Sequence, residues 1–326
     1  TDPAPPVTTV RPGVSDAMAG AMAKALEKAP ADRFESARAF TVALSAKSVH
    51  PEERQTKSIL VLPLANLSPD PDNEYFSDGL TEEIITDLSK VRALRVISRN
   101  SAMQLKGTSK STGQICRELG VRFVLEGSVR KAGNRLRITA QLTDGGAGEH
   151  IWAEKYDGVT DDIFSIQETV SRSIVEALEV ELTPEESRKV EERPIEDVRA
   201  YECHLRAKYQ TYLANKGSLN RARQFIQNGL DLIGDNEVLY SDLGLFYCTY
   251  YEFVSKDDKG LIEKAEECVG KVFSLNPDST HGYFLRGRIH LMHADIQEAA
   301  RNFKKAVILD PNNSHAFLRL AWLYAH

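Results

Sequence analysis

Three regimes of hydrophobic patterning follow one another along the chain. In the first, Met18, Met22, Ala25 and Leu26 recur at helical spacing behind Ser15, a good N-cap residue, and Pro30 stops the run. A second short helix is predicted over about 36–45, with Ala37, Phe40 and Leu44 facing inward. The second regime begins with Ile59-Leu-Val-Leu-Pro-Leu64, a continuous apolar run of the kind that forms a strand covered on both faces. Leu80, Ile84, Ile85, Leu88 and Val91 then make a helical stripe whose first turn would hold Glu82 and Glu83, where the macrodipole favours anions. Leu94–Ser98 reads as a second strand and Thr112–Leu119 as a helix capped by Gly120. Leu136, Ile138, Ala140 and Leu142 alternate with Arg135, Arg137, Thr139 and Gln141, the pattern of a half-buried strand. With Phe123–Lys131 and a turn at Ala132–Asn134 it makes a hairpin. Gly145–Gly148 turns the chain into a strand over Glu149–Tyr156, and a long helix over about 161–182 closes the domain.

The third regime is helical throughout and periodic. Ile262, Ala265, Lys271, Leu275 and Pro277 recur 34 residues later as Ile296, Ala299, Lys305, Leu309 and Pro311. Within 280–313, Tyr283, Gly287, Ala299, Phe303, Ala306 and Pro311 supply bulky, small, small, aromatic, small and proline positions in turn. Small residues let paired helices approach, and the proline ends each pair. This is the signature of tetratricopeptide (TPR) repeats. A unit with an insertion precedes it, opening with Tyr240, Leu243, Gly244 and Tyr247; a divergent one uses Ala207 and Ala222. A last one opens at Ser314 with Phe317, Leu320, Ala321 and Tyr324, so the array is expected to be cut short. In the family the first helices of the repeats line a concave peptide-binding groove. The matching positions here are His204, Lys208, Ser241, Leu245, His281, Phe284, Arg288, Leu318 and Trp322. His204, Lys208, His281 and Arg288 would make that groove mildly basic, suited to an acidic protein or peptide segment.

Two further resemblances bear on function. Asn66–Glu83 (Asn-Leu-Ser-Pro-Asp-Pro-Asp-Asn-Glu-Tyr-Phe-Ser-Asp-Gly-Leu-Thr-Glu-Glu), Arg117–Lys131 and Trp152-Ala-Glu-Lys-Tyr156 resemble the signature of the TolB-amino-terminal-like domain. That likeness implies an accessory α/β module, found in bacterial adenylate cyclases, transcriptional regulators and kinases, often ahead of TPR repeats. Met22-Ala-Lys-Ala-Leu-Glu-Lys-Ala-Pro-Ala-Asp-Arg-Phe-Glu-Ser-Ala37 resembles the last helices of a bacterial eukaryotic-type serine/threonine kinase domain. In that family the arginine matching Arg33 makes a buried ion pair. The Gly-rich loop, strand lysine, H-R-D and D-F-G motifs of a kinase are missing, so phosphotransfer by this chain is not expected.

The organisation expected is multidomain α/β plus all-α. Kinase-like helices over 1–46 and a polar linker over 47–57 lead into a small α/β domain with mixed sheet and β-meander over 58–182. A second linker over 183–199 and a TPR α-solenoid over 200–326 follow. No catalytic residue, cofactor or metal is expected. The function implied is a non-catalytic regulatory and protein-interaction region of a bacterial signalling serine/threonine kinase, the alternative being an effector or sensor region of an adenylate cyclase or transcriptional regulator.

Composition narrows the chemistry. A net charge of −6 with 42% hydrophobic residues gives no general reason to expect nucleic acid. Cys116, Cys203, Cys248 and Cys268 form no C-x-x-C pair and read as buried thiols. With no apolar run of membrane-spanning length and no signal-peptide pattern, the expected location is cytoplasmic. Asp70, Asp72, Glu74 and Asp78 mimic a calcium loop, but the sixth position is Tyr75, where an EF-hand needs Gly; a capped acidic turn is preferred. Arg130, Lys131, Arg135 and Arg137 read as the outward face of the hairpin. His290 and His293 lack a third ligand in sequence, and Phe246, Tyr247, Tyr250, Tyr251 and Phe253 read as core.

Overall fold

The computed structural model describes residues 16–27, 33–36, 39–41 and 57–325, in two compact units, 1–56 and 57–326. In the first unit, α1 (Asp16–Ala25) buries Ala21, while Leu26, expected on the inward stripe, is 64% exposed just past the helix. The exposed Arg33 donates from Nε to the Glu27 carbonyl at 2.7 Å, and Phe34 packs against Phe40 at 5.5 Å. Ser15, Pro30, Ala37 and Leu44 lie outside the described residues.

The second unit begins with a mixed sheet of order β3-β1-β4-β5-β6. Its members are β1 (Lys57–Val61), β2 (Ala65–Asn66), β3 (Leu94–Val96), β4 (Phe123–Ala132), β5 (Arg135–Asp144) and β6 (Glu149–Val159), with β2 beside β4. β1 runs parallel to β3 and β4, and Ile59, Leu60 and Val61 are fully buried, as a doubly covered central strand requires. β4, β5 and β6 form an antiparallel meander. The β4–β5 connection is Gly133-Asn134, with Gly133 at φ +58, a conformation that glycine adopts without Cβ strain.

Helix α2 (Glu74–Ser89) starts about six residues before the expected stripe. Asp70 caps the preceding 3-10 turn by accepting from Asp72 N at 2.9 Å, and Tyr75 and Phe76, 5% and 2% exposed, extend the buried face backwards. Glu82 and Glu83 therefore sit two turns inside the helix, out of reach of the macrodipole argument. α3 (Arg99–Met103), which the sequence reading lacked, and α4 (Thr112–Leu119), ending at Gly120 with φ +60, follow β3. The closing helix expected over about 161–182 is shorter, and a second helix follows it. α5 (Ile163–Ala177) stops before Glu179, which takes φ +48, and α6 (Pro184–Glu191) restarts behind a Thr183/Glu186 capping box. The stretch 183–199, expected as a linker, thus carries a helix, and Val190 and Ile195 are buried in the core.

Seven helices complete the unit: α7 (Val198–Tyr212), α8 (Lys216–Ile233), α9 (Glu237–Phe253), α10 (Gly260–Leu275), α11 (Thr280–Met292), α12 (Ile296–Leu309) and α13 (Ser314–Ala325). Consecutive members pair as α7/α8, α9/α10 and α11/α12, with α13 stacked on α12, the arrangement of a TPR solenoid. The small positions act as expected: a Cβ at Gly244 would lie 2.2 Å from Leu285 Cδ2, and one at Gly287 2.6 Å from Phe303. One hydrophobic core runs without interruption from Ile59 through α7, α8 and α9 to Phe246, so the α/β layer and the first repeats fold around shared side chains.

Candidate functional site

The first helix of the repeats is covered by the chain's own α2. α2 packs against α5 on one side and α7 on the other. Gly79 permits the approach to α7: a Cβ there would stand 2.7 Å from Leu205 Cδ2. One turn on, the Glu82 carboxylate meets Lys208 Nζ at 2.8 Å, Arg99 Nε at 2.9 Å and the Tyr212 hydroxyl, which donates to it at 3.3 Å. The Arg99 guanidinium also stacks over the Tyr212 ring at 3.8 Å. Glu83 stands 3.9 Å from Lys208 Nζ and 4.0 Å from His204 Nε2, while His204 Nδ1 faces Asp242 Oδ2 at 2.5 Å.

A second polar cluster clamps the start of α2. Glu202 on α7 takes Lys131 Nζ at 2.7 Å and Arg206 at 2.9 Å and accepts the Tyr75 hydroxyl. Asn312, in the turn before α13, donates from its side-chain amide to the Ser89 carbonyl at the far end of α2. The array thus touches α2 from its first helix to its last turn.

Electrostatics follow from this burial. Burial alone would push the Glu82 carboxyl up, but Lys208 and Arg99 overcome it and hold the group at about 2. Burial would likewise draw the Lys208 ammonium down, yet Glu82 and Glu83 keep it above its ordinary value. Glu202 shows the same balance, with burial opposed by Lys131 and the Tyr75 hydroxyl, and also ends at about 2. Burial, followed by the Glu82 charge, raises the Tyr212 phenol.

The nine groove positions read from the sequence accordingly fall into two groups. His204, 6% exposed, and Lys208 face α2, and Ser241 is 2% exposed; none of the three is open to a ligand. Leu245 is half-buried, and Phe284 packs on Phe303 and His315 at 5.7 and 6.0 Å. Arg288, 8% exposed, pairs with Glu252 at 2.7 Å. His281, Leu318 and Trp322 are exposed, the last two by 58% and 51%. The sequence reading missed Arg319. It sits four residues after His315 and three before Trp322, on the same face of α13, so the helical spacing that selected Leu318 and Trp322 could have found it.

Other sequence candidates resolve differently. The acidic residues do not share a loop: Glu74 and Asp78 lie on α2, and both reach Lys106 Nζ at 2.5 Å. Among the described residues no group of three or more His, Cys, Asp or Glu could hold a metal ion. Lys131 faces inward and is 8% exposed, because its register partner Leu136 is on the covered face of the sheet, whereas Arg130, Arg135 and Arg137 point outward. Gly145–Gly148 is the turn between β5 and β6. His290 and His293 face Asp295 at 3.5 Å and Glu266 at 3.1 Å. Phe246 is core against Tyr247 and Tyr250, but Phe253 is 65% exposed at the end of α9. All four cysteines are free, and Cys203 is only half-buried. Among the described residues no helix is long and apolar enough to cross a membrane.

Comparison with known proteins gives likenesses in sequence and in fold. No family model matches the chain. Over 192 residues, 59% of the chain, it is 45% identical to the protein named "Putative adenylate cyclase 3" of Rhizobium meliloti (strain 1021), and it spans 33% of that protein's length. The crystal structure of TolB from Acinetobacter baumannii matches 37% of the chain and 28% of its own at 20% identity, TM-score 0.30. The TPR domain of Arabidopsis OM64 matches 39% of the chain and 98% of its own at 23% identity, TM-score 0.28.

Proposed function

We propose that this chain is a non-catalytic regulatory region that binds another polypeptide on the concave face of its repeats and belongs to a larger bacterial signalling protein. The observation that supports it most directly is that α2 covers His204 and Lys208 of α7, while Leu318 and Trp322 of α13 lie exposed. Large apolar side chains exposed together on a concave surface mark interaction sites.

Two kinds of output domain fit. The Met22–Ala37 resemblance favours a serine/threonine kinase. The 45% identity to the Rhizobium protein favours an adenylate cyclase. Assay of the full-length protein with ATP and magnesium separates them, by phosphoserine or phosphothreonine on the one hand and cyclic AMP on the other. The binding reading has its own test. Peptides selected from a random display library on the whole chain are expected to lose at least about tenfold in affinity on Trp322→Asp, the scale of a central aromatic anchor. A chain that selects no peptide, or whose peptides ignore Trp322→Asp, would sink it.

A further inference from the structure

Two clefts lie on either side of α10, and none of the nine groove positions borders them. The larger, about 650 Å³, runs between α9 and α10 and is lined by Tyr240, Leu243 and Tyr247 from the one and by Lys264, Cys268 and Lys271 from the other. Each lysine stands over a tyrosine ring, Lys271 over Tyr240 at 5.6 Å and Lys264 over Tyr247 at 5.9 Å. The two tyrosines, like the two lysines, are two helical turns apart, roughly 10 Å along the axis. Leu243 and the buried Cys268 come between them and supply apolar surface. The smaller cleft, about 300 Å³, runs between α10 and α11 and is lined by Glu266, Val269, Arg286, Ile289, His290 and His293. Sites for small ligands span about 300–1,000 Å³.

Gly270 borders both clefts. Other glycines inside the repeat helices face a neighbour that leaves little room for a Cβ: Leu239 at 3.1 Å from Gly229, and Val272 and Phe273 at 2.9 Å from Gly282. At Gly270 a Cβ would meet nothing within 4 Å, so packing does not account for a residue that weakens the middle of a helix. Its effect is a notch in α10 between the clefts. Charge around the notch is unbalanced. Among the described residues neither Lys264 nor Arg286 has a carboxylate within ion-pair distance, whereas Lys271 is met by Asp235 at 3.1 Å and His290 by Asp295 at 3.5 Å. Of the lining carboxylates, Glu266 faces His293 at 3.1 Å and Glu267 alone is unanswered. Arg286 is half-buried and stacks over the Phe273 ring at 4.1 Å, which restrains its guanidinium.

We propose that the two clefts form one site for a small organic anion with a flat ring. The ring lies on Leu243 between the tyrosines, and its acidic group, a carboxylate or a phosphate, crosses Gly270 to the guanidinium of Arg286. This site is separate from the peptide-binding surface proposed above and does not depend on it.

Isothermal titration calorimetry of the whole chain tests it with four probes: naphthyl phosphate, naphthoate, naphthylmethylamine and inorganic phosphate. At least one naphthyl anion should bind, the tighter naming the acidic group, and it should exceed the amine and inorganic phosphate by about tenfold or more. Gly270→Leu fills the notch. It should melt no lower than wild type, because a Cβ there meets no neighbour and leucine suits a helix better, yet it should lose about tenfold or more in affinity. Arg286→Ala should weaken binding to a similar degree, with partial recovery in Arg286→Lys, and these two decide if Gly270→Leu melts lower. Trp322→Asp, on α13, should leave binding unchanged. Failure of both naphthyl anions to bind overturns the site, as does an affinity unchanged in both Gly270→Leu and Arg286→Ala. Naphthylmethylamine binding as tightly as the anions overturns the acidic ligand, and inorganic phosphate binding as tightly as naphthyl phosphate overturns the seat for its ring.

Discussion

Lys208→Met should lower the unfolding free energy by about 3 kcal/mol, near the lower end of what removing one partner of a buried ion pair costs. The methionine fills most of the lysine's volume, so the loss reports the charge and not a cavity. Glu82 would remain buried with Arg99 as its one cation. The pH profile supplies a second readout. The Glu82 carboxyl is held at about 2 in the folded protein against an ordinary 4.5, so its folded value is depressed. Such a group stabilises the fold above its unfolded pKa and loses that contribution as pH falls through the folded one. Its share, about 3 kcal/mol at ~1.4 kcal/mol per unit, is present above about pH 4.5 and drains away toward pH 2.

In Lys208→Met the depression shrinks, so the difference between wild type and variant should be largest at neutral pH and narrow on acidification. Asp78 and Asp87, whose carboxyls burial pushes up, titrate in both proteins and cancel in that difference. Combined with Glu82→Gln, the double variant should be more stable than the sum of the single losses, with a coupling above about 1 kcal/mol. Urea unfolding at pH 7 and pH 3.5 measures all of this. Equal stability of wild type and Lys208→Met at both pH values would show that α2 does not hold the groove in solution.

What the sequence made legible depended on range. The β4–β5 hairpin could be read because its period-two alternation and its Gly133-Asn134 turn are local, and α4 because Gly120 marks its end. The helix pairs could be read because a 34-residue recurrence is visible without knowing any contact. α2 was placed late because Tyr75 and Phe76 sit among acidic and turn-forming residues, and only their burial shows that the helix has begun. Projection of the repeat spacing onto a groove picked His204 and Lys208, which turn toward α2. It could not show that Glu82 and Glu83, more than a hundred residues earlier, were already there. A contact of that range between two amphipathic helices has no signature in either one: a glutamate placed to answer a lysine across an interface looks the same as a glutamate placed in solvent. Lys131 is a different case, because the alternation that turns it inward is local: it follows the outward Arg130 and stands opposite Leu136 of the covered face.

The junction between α2 and α7 can be weighed against helix propensity at one position. Gly79 lies within α2, where alanine would ordinarily stabilise an exposed site by about 1 kcal/mol. Here the added Cβ meets Leu205 at 2.7 Å (Cδ2) and 3.0 Å (Cδ1), and Leu205 is 2% exposed. A leucine at the surface would turn away at little cost, but this one is enclosed by the shared core, where overpacking costs about 1–3 kcal/mol. Gly79→Ala should therefore be net destabilising by about 1 kcal/mol, and Leu205→Ala alone should cost about 2–5 kcal/mol through the cavity it leaves. In the Leu205→Ala background the clash is gone, the new methyl enters the vacated space, and the propensity gain survives. Gly79→Ala should then stabilise by about 1 kcal/mol, a reversal of sign that only direct contact between the two residues can produce. Urea unfolding of the four proteins measures it; if Gly79→Ala stabilises in both backgrounds, α2 is not seated against the first repeat.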